Sequence, residues 1–154
     1  PLIDRLACGG DPGAVSLPRA FLEKDSLDFS FSGLKTAVIN YLHRSGQRGE
    51  VVNNADLAAS FQASVVSALY EKTISAAQQF DAKEIIVAGG VSANKALREA
   101  FRSQTQFKVH IPHISLCTDN AAMIAAAGYQ HLALGERDNL DFDVLPTWYL
   151  TPVS

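Results

Sequence analysis

The sequence is poor in cysteine, in charge and in long apolar runs. It has two cysteines, Cys8 and Cys117, far apart in the chain. That excludes a disulfide scaffold and suits a reducing compartment, so a cytoplasmic location is expected. Charged residues make up 19% and the formal net charge is −3, which leaves no chain-wide electrostatic footprint for nucleic acid. Any contact with a polyanion has to come from a local basic patch. No apolar run approaches the ~20 residues of a membrane span, and no basic-then-apolar leader is present, so no membrane association is expected. Repeats and low-complexity stretches are absent as well. The chain opens at Pro1 and its only methionine is Met123, so a fragment or processed piece is expected, with part of its site elsewhere.

What is present is a 47% hydrophobic content over 154 residues, enough for one domain that buries roughly 68–70% of its unfolded surface. The most informative stretch runs from Glu84 to Leu97. Ile85 to Ala88 reads as a fully buried strand, Gly89-Gly90 as a turn, and a helical pattern begins near Ser92. Strand, glycine turn and helix start is how α/β proteins bring backbone N–H groups close to a phosphate or nucleotide. Neither glycine has a Cβ to hold a ligand away. Gly89 and Gly90 are therefore candidate nucleotide-binding positions.

The remaining elements follow from periodicity. Residues 1–8 read as a helix end closed by Gly9-Gly10, and Phe29-Ser30-Phe31 as a short strand. Gly33 opens a helix whose Leu34, Ala37, Val38, Tyr41 and Leu42 form one apolar stripe. Ser45 to Asn54 reads as a surface loop. A long helix spans about 55–80, with Asn54 as its cap and Leu57, Phe61, Val65, Leu69 and Phe80 in period. A helix at about 93–104, a strand at 107–111, a loop through Asp119 and a small-residue helix at about 121–134 closed by Gly135 complete the order. The tail, with Leu145, Pro146, Trp148 and Tyr149, reads as packed irregular chain. Helices alternating with buried strands give an α/β class, a mixed sheet flanked by helices.

Each candidate site residue has a plain structural reading beside the chemical one. Asn94 either satisfies helix-start amides or grips a ribose hydroxyl or phosphate at the glycine turn. Asp119 either caps the next helix or serves as a hard-metal ligand, and its two oxygens allow both. His110, His113, Cys117 and Asp119 do not make a zinc site. His110 faces away from Val109 and Ile111 on its strand, Pro112 redirects the chain, and no closed ligand pair occurs. Ser32-Gly33-Leu34-Lys35-Thr36 echoes the end of a P-loop without its full pattern, which leaves Lys35 a solvated helix residue. Asp4 reads locally as a solvated first-turn residue.

Three segments together, Phe29-Ser-Phe-Ser-Gly-Leu-Lys-Thr-Ala37, Ala88-Gly-Gly-Val-Ser-Ala-Asn94 and Cys117-Thr-Asp-Asn-Ala-Ala-Met-Ile-Ala125, closely resemble the second half of one family, in order and over nearly the whole chain. It is the tRNA N6-adenosine threonylcarbamoyltransferases, the TsaD and Gcp group once called O-sialoglycoprotein endopeptidases. The resemblance implies the two-lobed actin/Hsp70/sugar-kinase (ASKHA) nucleotide-binding fold. Residues 1–154 would be a single domain, most of the C-terminal lobe, with the N-terminal lobe absent. Asn94, in Gly-Gly-Val-x-x-Asn, matches a substrate-binding Asn, and Asp4, at the end of a Pro-x-x-Asp segment, matches a substrate-contacting Asp. Asp119, in Cys-Thr-Asp-Asn, matches a metal-binding Asp. The departure is that the family's His-x-x-x-His pair is nowhere in this chain.

The reaction implied moves threonylcarbamoyl from its AMP anhydride to N6 of the adenosine beside the anticodon, in tRNAs reading codons that begin with A. It implies threonylcarbamoyl-AMP or an ATP-like nucleotide and tRNA as ligands. It also implies one divalent iron or zinc ion in the full-length protein, and TsaB/TsaE-type partner subunits if the source is bacterial. The isolated chain is expected to be inactive, to hold no metal tightly and to self-associate through the face left by the first lobe. Two rival functions are a non-catalytic nucleotide-binding or scaffolding paralogue and the older metallopeptidase reading. Retention of Asn94 and Asp119 argues against the first. The second needs a metal-bound water and a general base as in His-Glu-x-x-His, which is missing.

Overall fold

The structure, a computed structural model, describes residues 2–18, 26–141 and 143. Among the described residues five α-helices and two strands follow in the order α1 (Leu2–Ala7), α2 (Ser32–Arg48), α3 (Asn54–Gln79), β1 (Glu84–Ile86), α4 (Lys95–Ser103), β2 (Lys108–His110) and α5 (Ala121–Ala133). Single 3-10 turns lie at Gly90–Ala93 and Ile114–Leu116. The chain forms two compact units, residues 1–118 and 119–154. The class is α/β and dominated by helix. Among the described residues the sheet is one parallel pair, with Ile85 opposite Val109, rather than the mixed sheet expected.

In the first unit α3 is the spine. Its inner face and α4 enclose a core of Ala77, Ile85, Leu97 and Phe101, joined by Leu69, Tyr70, Val87 and Val109. Tyr70 meets Phe101 edge to face at 5.3 Å. The strand is not buried on both faces as its apolar run suggested. Ile85 is buried, Val87 half-buried, and Ile86 and Ala88 are exposed. The four-residue run hid an ordinary alternation, because the outward positions also carry apolar side chains.

Several boundaries differ from the sequence reading. The segment taken as a loop from Ser45 is helical to Arg48, with Ser45 buried inside α2 and Gly49 ending it. Helix α3 is capped by Asn53, whose side chain accepts from the Ala55 N–H, rather than by Asn54. That helix stops at Gln79, so Phe80 is its exposed terminator and not part of the stripe. The expected strand at 29–31 is only an isolated bridge at Phe29, and the Phe29 and Phe31 rings stack at 6.0 Å. Buried Lys72 of α3 holds this segment by donating to the main-chain carbonyls of Ser26, at 2.7 Å, and of Asp28.

The turn after α1 lies directly on the start of α3. Gly10 donates to the Ala7 carbonyl, the Asp11 N–H donates to Asp56 Oδ1 at 2.9 Å, and the Val15 N–H donates to Ser60 Oγ at 3.1 Å. A Cβ on Gly10 would lie 2.0 Å from the Ala55 carbonyl oxygen, against backbone that cannot yield. Across the open face of the parallel pair, Glu84 accepts from Lys108 at 2.9 Å and meets His110 at 2.8 Å. His110 thus points away from Val109, as its alternation predicts.

The second unit begins at Asp119. Helix α5 is capped by Asn120, whose Oδ1 accepts from the Met123 N–H at 2.9 Å, so the cap is Asn120 and not Asp119. The helix gives way at Leu134 and Gly135, where His131 Nδ1 pairs with Glu136 at 2.5 Å. That contact raises the pKa of His131, chiefly through the hydrogen bond. The sequence of α5 is apolar on every side, yet none of its residues is buried. The tail residues Leu145, Pro146, Trp148 and Tyr149 lie outside the described residues.

Two outcomes are expected. Gly10→Ala should cost about 1–3 kcal/mol in urea unfolding, whereas Gly9→Ala, with open space around its Cβ, should stay within about 0.5 kcal/mol. The Lys108 hydrogen bond, and after it His110, lowers the Glu84 pKa. Stability from this group is therefore present above its unfolded pKa and lost as pH falls through the lower folded value. In NMR titration Lys108→Met should move the Glu84 midpoint upward.

Candidate functional site

Helix α4 does not begin at Ser92. Gly89 sits at φ 84°, ψ 173°, a conformation essentially restricted to glycine, and turns the chain out of the sheet. The Gly90–Ala93 turn follows, closed by buried Ser92, whose Oγ and N–H both donate to the Gly89 carbonyl at 2.7 and 3.0 Å. Asn94 is extended and forms the N-cap of α4, its Oδ1 accepting from the Leu97 N–H at 2.9 Å. The plain structural reading of Asn94 therefore holds.

The rest of the Asn94 side chain reaches across to two other helices. Its Nδ2 donates to Asp4 Oδ1 of α1 at 2.9 Å and to Gln62 Oε1 of α3 at 2.8 Å. All three side chains are half-buried. They edge a cavity of ≈ 690 Å³ that Gly90 and Thr118 also line. Its apolar wall is one face of α3, Phe61, Val65, Val66 and Leu69, with Ile3, Val91 and Leu97. A concave, mostly apolar space of this size with a few convergent polar groups is what a nucleoside-sized ligand needs.

Of the residues singled out in the sequence, Asp4, Gly90 and Asn94 thus share one cavity. Gly89 shapes the turn and does not line it. Asp119 is exposed and belongs to the second unit. Among the described residues no group of three or more His, Cys, Asp or Glu could hold a metal ion. A transition-metal site needs more donors than one carboxylate, so the described residues do not by themselves fit the metal that the resemblance implies.

Sequence reasoning missed Gln62, Ser92 and Arg98. Gln62 was signalled by being a polar residue inside the α3 apolar stripe, four before Val66 and seven before Leu69. Arg98 adjoins Leu97 on the buried face of α4, where a cation requires partners. Its Nη1 donates to the Ser92 carbonyl at 2.9 Å and reaches Cys117 Sγ at 3.6 Å, and its Nη2 donates to the Pro112 carbonyl at 2.7 Å. The guanidinium bolts the glycine turn to the chain that follows β2.

With this geometry in place, comparison with known proteins is decisive. A family described as tRNA N6-adenosine threonylcarbamoyltransferase, TsaD, matches residues 1–126. The chain belongs to that family. Proteins named tRNA N6-adenosine threonylcarbamoyltransferase from Anoxybacillus flavithermus and Geobacillus thermodenitrificans are 52% and 50% identical to it, over 97% and 95% of this chain. One from Moorella thermoacetica is 50% identical over 95%. The matched region covers only 45%, 44% and 44% of those relatives, so the chain spans less than half their length.

Asn94→Ser separates the two jobs of Asn94. Serine caps helices about as well as asparagine, so Asn94→Ser should lose only the bonds to Asp4 and Gln62, about 1–3 kcal/mol, whereas Asn94→Ala should cost about 0.5–2 kcal/mol more, for the cap. Both should release Asp4 from Gln62, read as a change in the Gln62 side-chain amide signals by NMR.

Proposed function

We propose that this chain is most of the C-terminal lobe of a two-lobed, ASKHA-type tRNA-modifying acyltransferase, acting in the cytoplasm. The reaction is transfer of threonylcarbamoyl from threonylcarbamoyl-AMP to N6 of the adenosine beside the anticodon. The N6 nitrogen forms a bond to the carbamoyl carbon, the bond from that carbon to the phosphate oxygen breaks, and AMP leaves. The observation that carries this reading is the meeting of Asp4, Asn94 and the Gly90 turn at one nucleoside-sized cavity, in a chain of this family.

Asp4 orients the nucleoside part of the donor as a hydrogen-bond acceptor. The Gly89-Gly90 turn lets backbone approach the ligand without a Cβ between. Asn94 fixes Asp4 against the start of α4. Binding energy in such a cleft acts by positioning the anhydride against the incoming amine. Asp119 would supply one ligand to an iron or zinc ion completed by residues of the first lobe, and the chemistry such an ion would supply is that of a Lewis acid. The metal, tRNA and partner subunits are engaged only in the two-lobed protein.

Alone, the chain is inactive and self-associates. Leu2, Ile86 and Val91 are 68%, 76% and 62% exposed in the first unit, apolar side chains that a covering partner would bury. The test joins this chain to the first lobe of the A. flavithermus relative and measures tRNA modification and metal content. Activity is expected in the joined protein and not in the chain alone. Asp119→Ala should reduce both modification and bound metal to background while leaving circular dichroism unchanged. An active Asp119→Ala protein with full metal content would refute the assigned role.

A further inference from the structure

Asn94 has no donor left for a ligand. An asparagine side chain offers two N–H donors and two lone pairs. Both donors are engaged, by Asp4 Oδ1 and Gln62 Oε1, and the oxygen accepts from the start of α4. The groups of this cluster without a partner belong to its neighbours. With Oε1 turned to Asn94, the Gln62 amide has its orientation set, and Nε2 is its donor end. Among the described residues Nε2 has no partner, and neither does the second carboxylate oxygen of Asp4. An acceptor and a donor therefore remain on the two partners of a single nitrogen, both of them residues that line the cavity.

We propose that Gln62 is a ligand-contacting, specificity-determining residue of this site, donating from Nε2 to a sugar hydroxyl whose own proton goes to Asp4. The assignment rests on the nucleotide reading above and adds to it the residue that selects for the sugar. A hydroxyl is the group that can donate to a carboxylate and accept from an amide at once. The position suits the task. Gln62 stands on the longest helix, beside the apolar wall that would receive the base, and a contact group on a helix is held more accurately than one on a loop. A site built to hydrogen-bond a hydroxyl rejects the analogue that lacks it, because its own polar groups are then left unpaired.

The alternative is that Gln62 only braces Asn94, and two substitutions separate the roles. Gln62→Glu keeps an oxygen to accept from Asn94 and removes the donor; Gln62→Leu removes both. The 154-residue chain is titrated with adenosine, 2′-deoxyadenosine and 3′-deoxyadenosine and followed by 15N NMR, which reads weak binding and the fold together. Wild type should bind adenosine about tenfold more tightly than one of the deoxy analogues, the difference expected for roughly one hydrogen bond. In both variants that preference should fall, leaving only the part that the hydroxyl's bond to Asp4 supplies. Preference kept in Gln62→Glu overturns the proposal and leaves Gln62 a brace. If Gln62→Leu fails to fold, Gln62→Glu alone decides. A wild type that binds adenosine without discriminating against either analogue overturns the Gln62 assignment only. A wild type that binds no adenosine overturns the nucleotide reading and Gln62 with it.

Discussion

The side-chain amide of Asn94 joins three helices that are far apart in sequence. It caps α4, ties that cap to Asp4 of α1 and, through Gln62, fastens both to the middle of α3. Polar groups half-buried at such a junction need their partners, since an unpaired amide there costs about 1–3 kcal/mol. The cavity edge is therefore set by a closed hydrogen-bond network rather than by packing alone. What remains unpaired in that network belongs to Asp4 and Gln62, which both line the cavity.

Two further contacts hold the network in place. Arg98, buried one turn into α4, gathers the Ser92 and Pro112 carbonyls and so fixes the glycine turn relative to β2. At the other end, the Gly10 backbone lies against Ala55 so closely that no side chain fits between them. That contact seats the turn after α1 on α3, and α1 carries Asp4. One anchor acts on α3 and the other on α4, and both helices contribute lining residues to the cavity.

Much of this was legible in the sequence, and the exceptions have physical causes. Helices with a clear apolar stripe, such as Leu34, Ala37, Val38 and Tyr41 of α2, were found because burial imposes a 3.6-residue period, although Leu42 at its end is exposed. The glycine turn and its neighbours were found because few residue types tolerate the backbone that Gly89 adopts. Boundaries failed where glycine was read as punctuation. Gly46 lies inside α2, and its neighbour Ser45 is buried, an outcome set by tertiary packing and not by propensity. Adjacent candidates exchanged roles, Asn53 for Asn54 and Asn120 for Asp119, because each pair offers two competent caps one residue apart. Asp4 could not be promoted from its own surroundings, since its partner lies 90 residues away. Family resemblance supplied that link, and the hydrogen bond gives it a physical form.

The account stands on the nucleotide lying in the cavity between α1, α3 and the Gly90 turn. Hydrogen–deuterium exchange of the chain with and without ATP addresses this most directly. Slowed exchange is predicted at residues 2–7 and 90–98, where α1, the glycine turn and the start of α4 border the cavity. Protection confined to other segments, with these unchanged at saturating nucleotide, would contradict it.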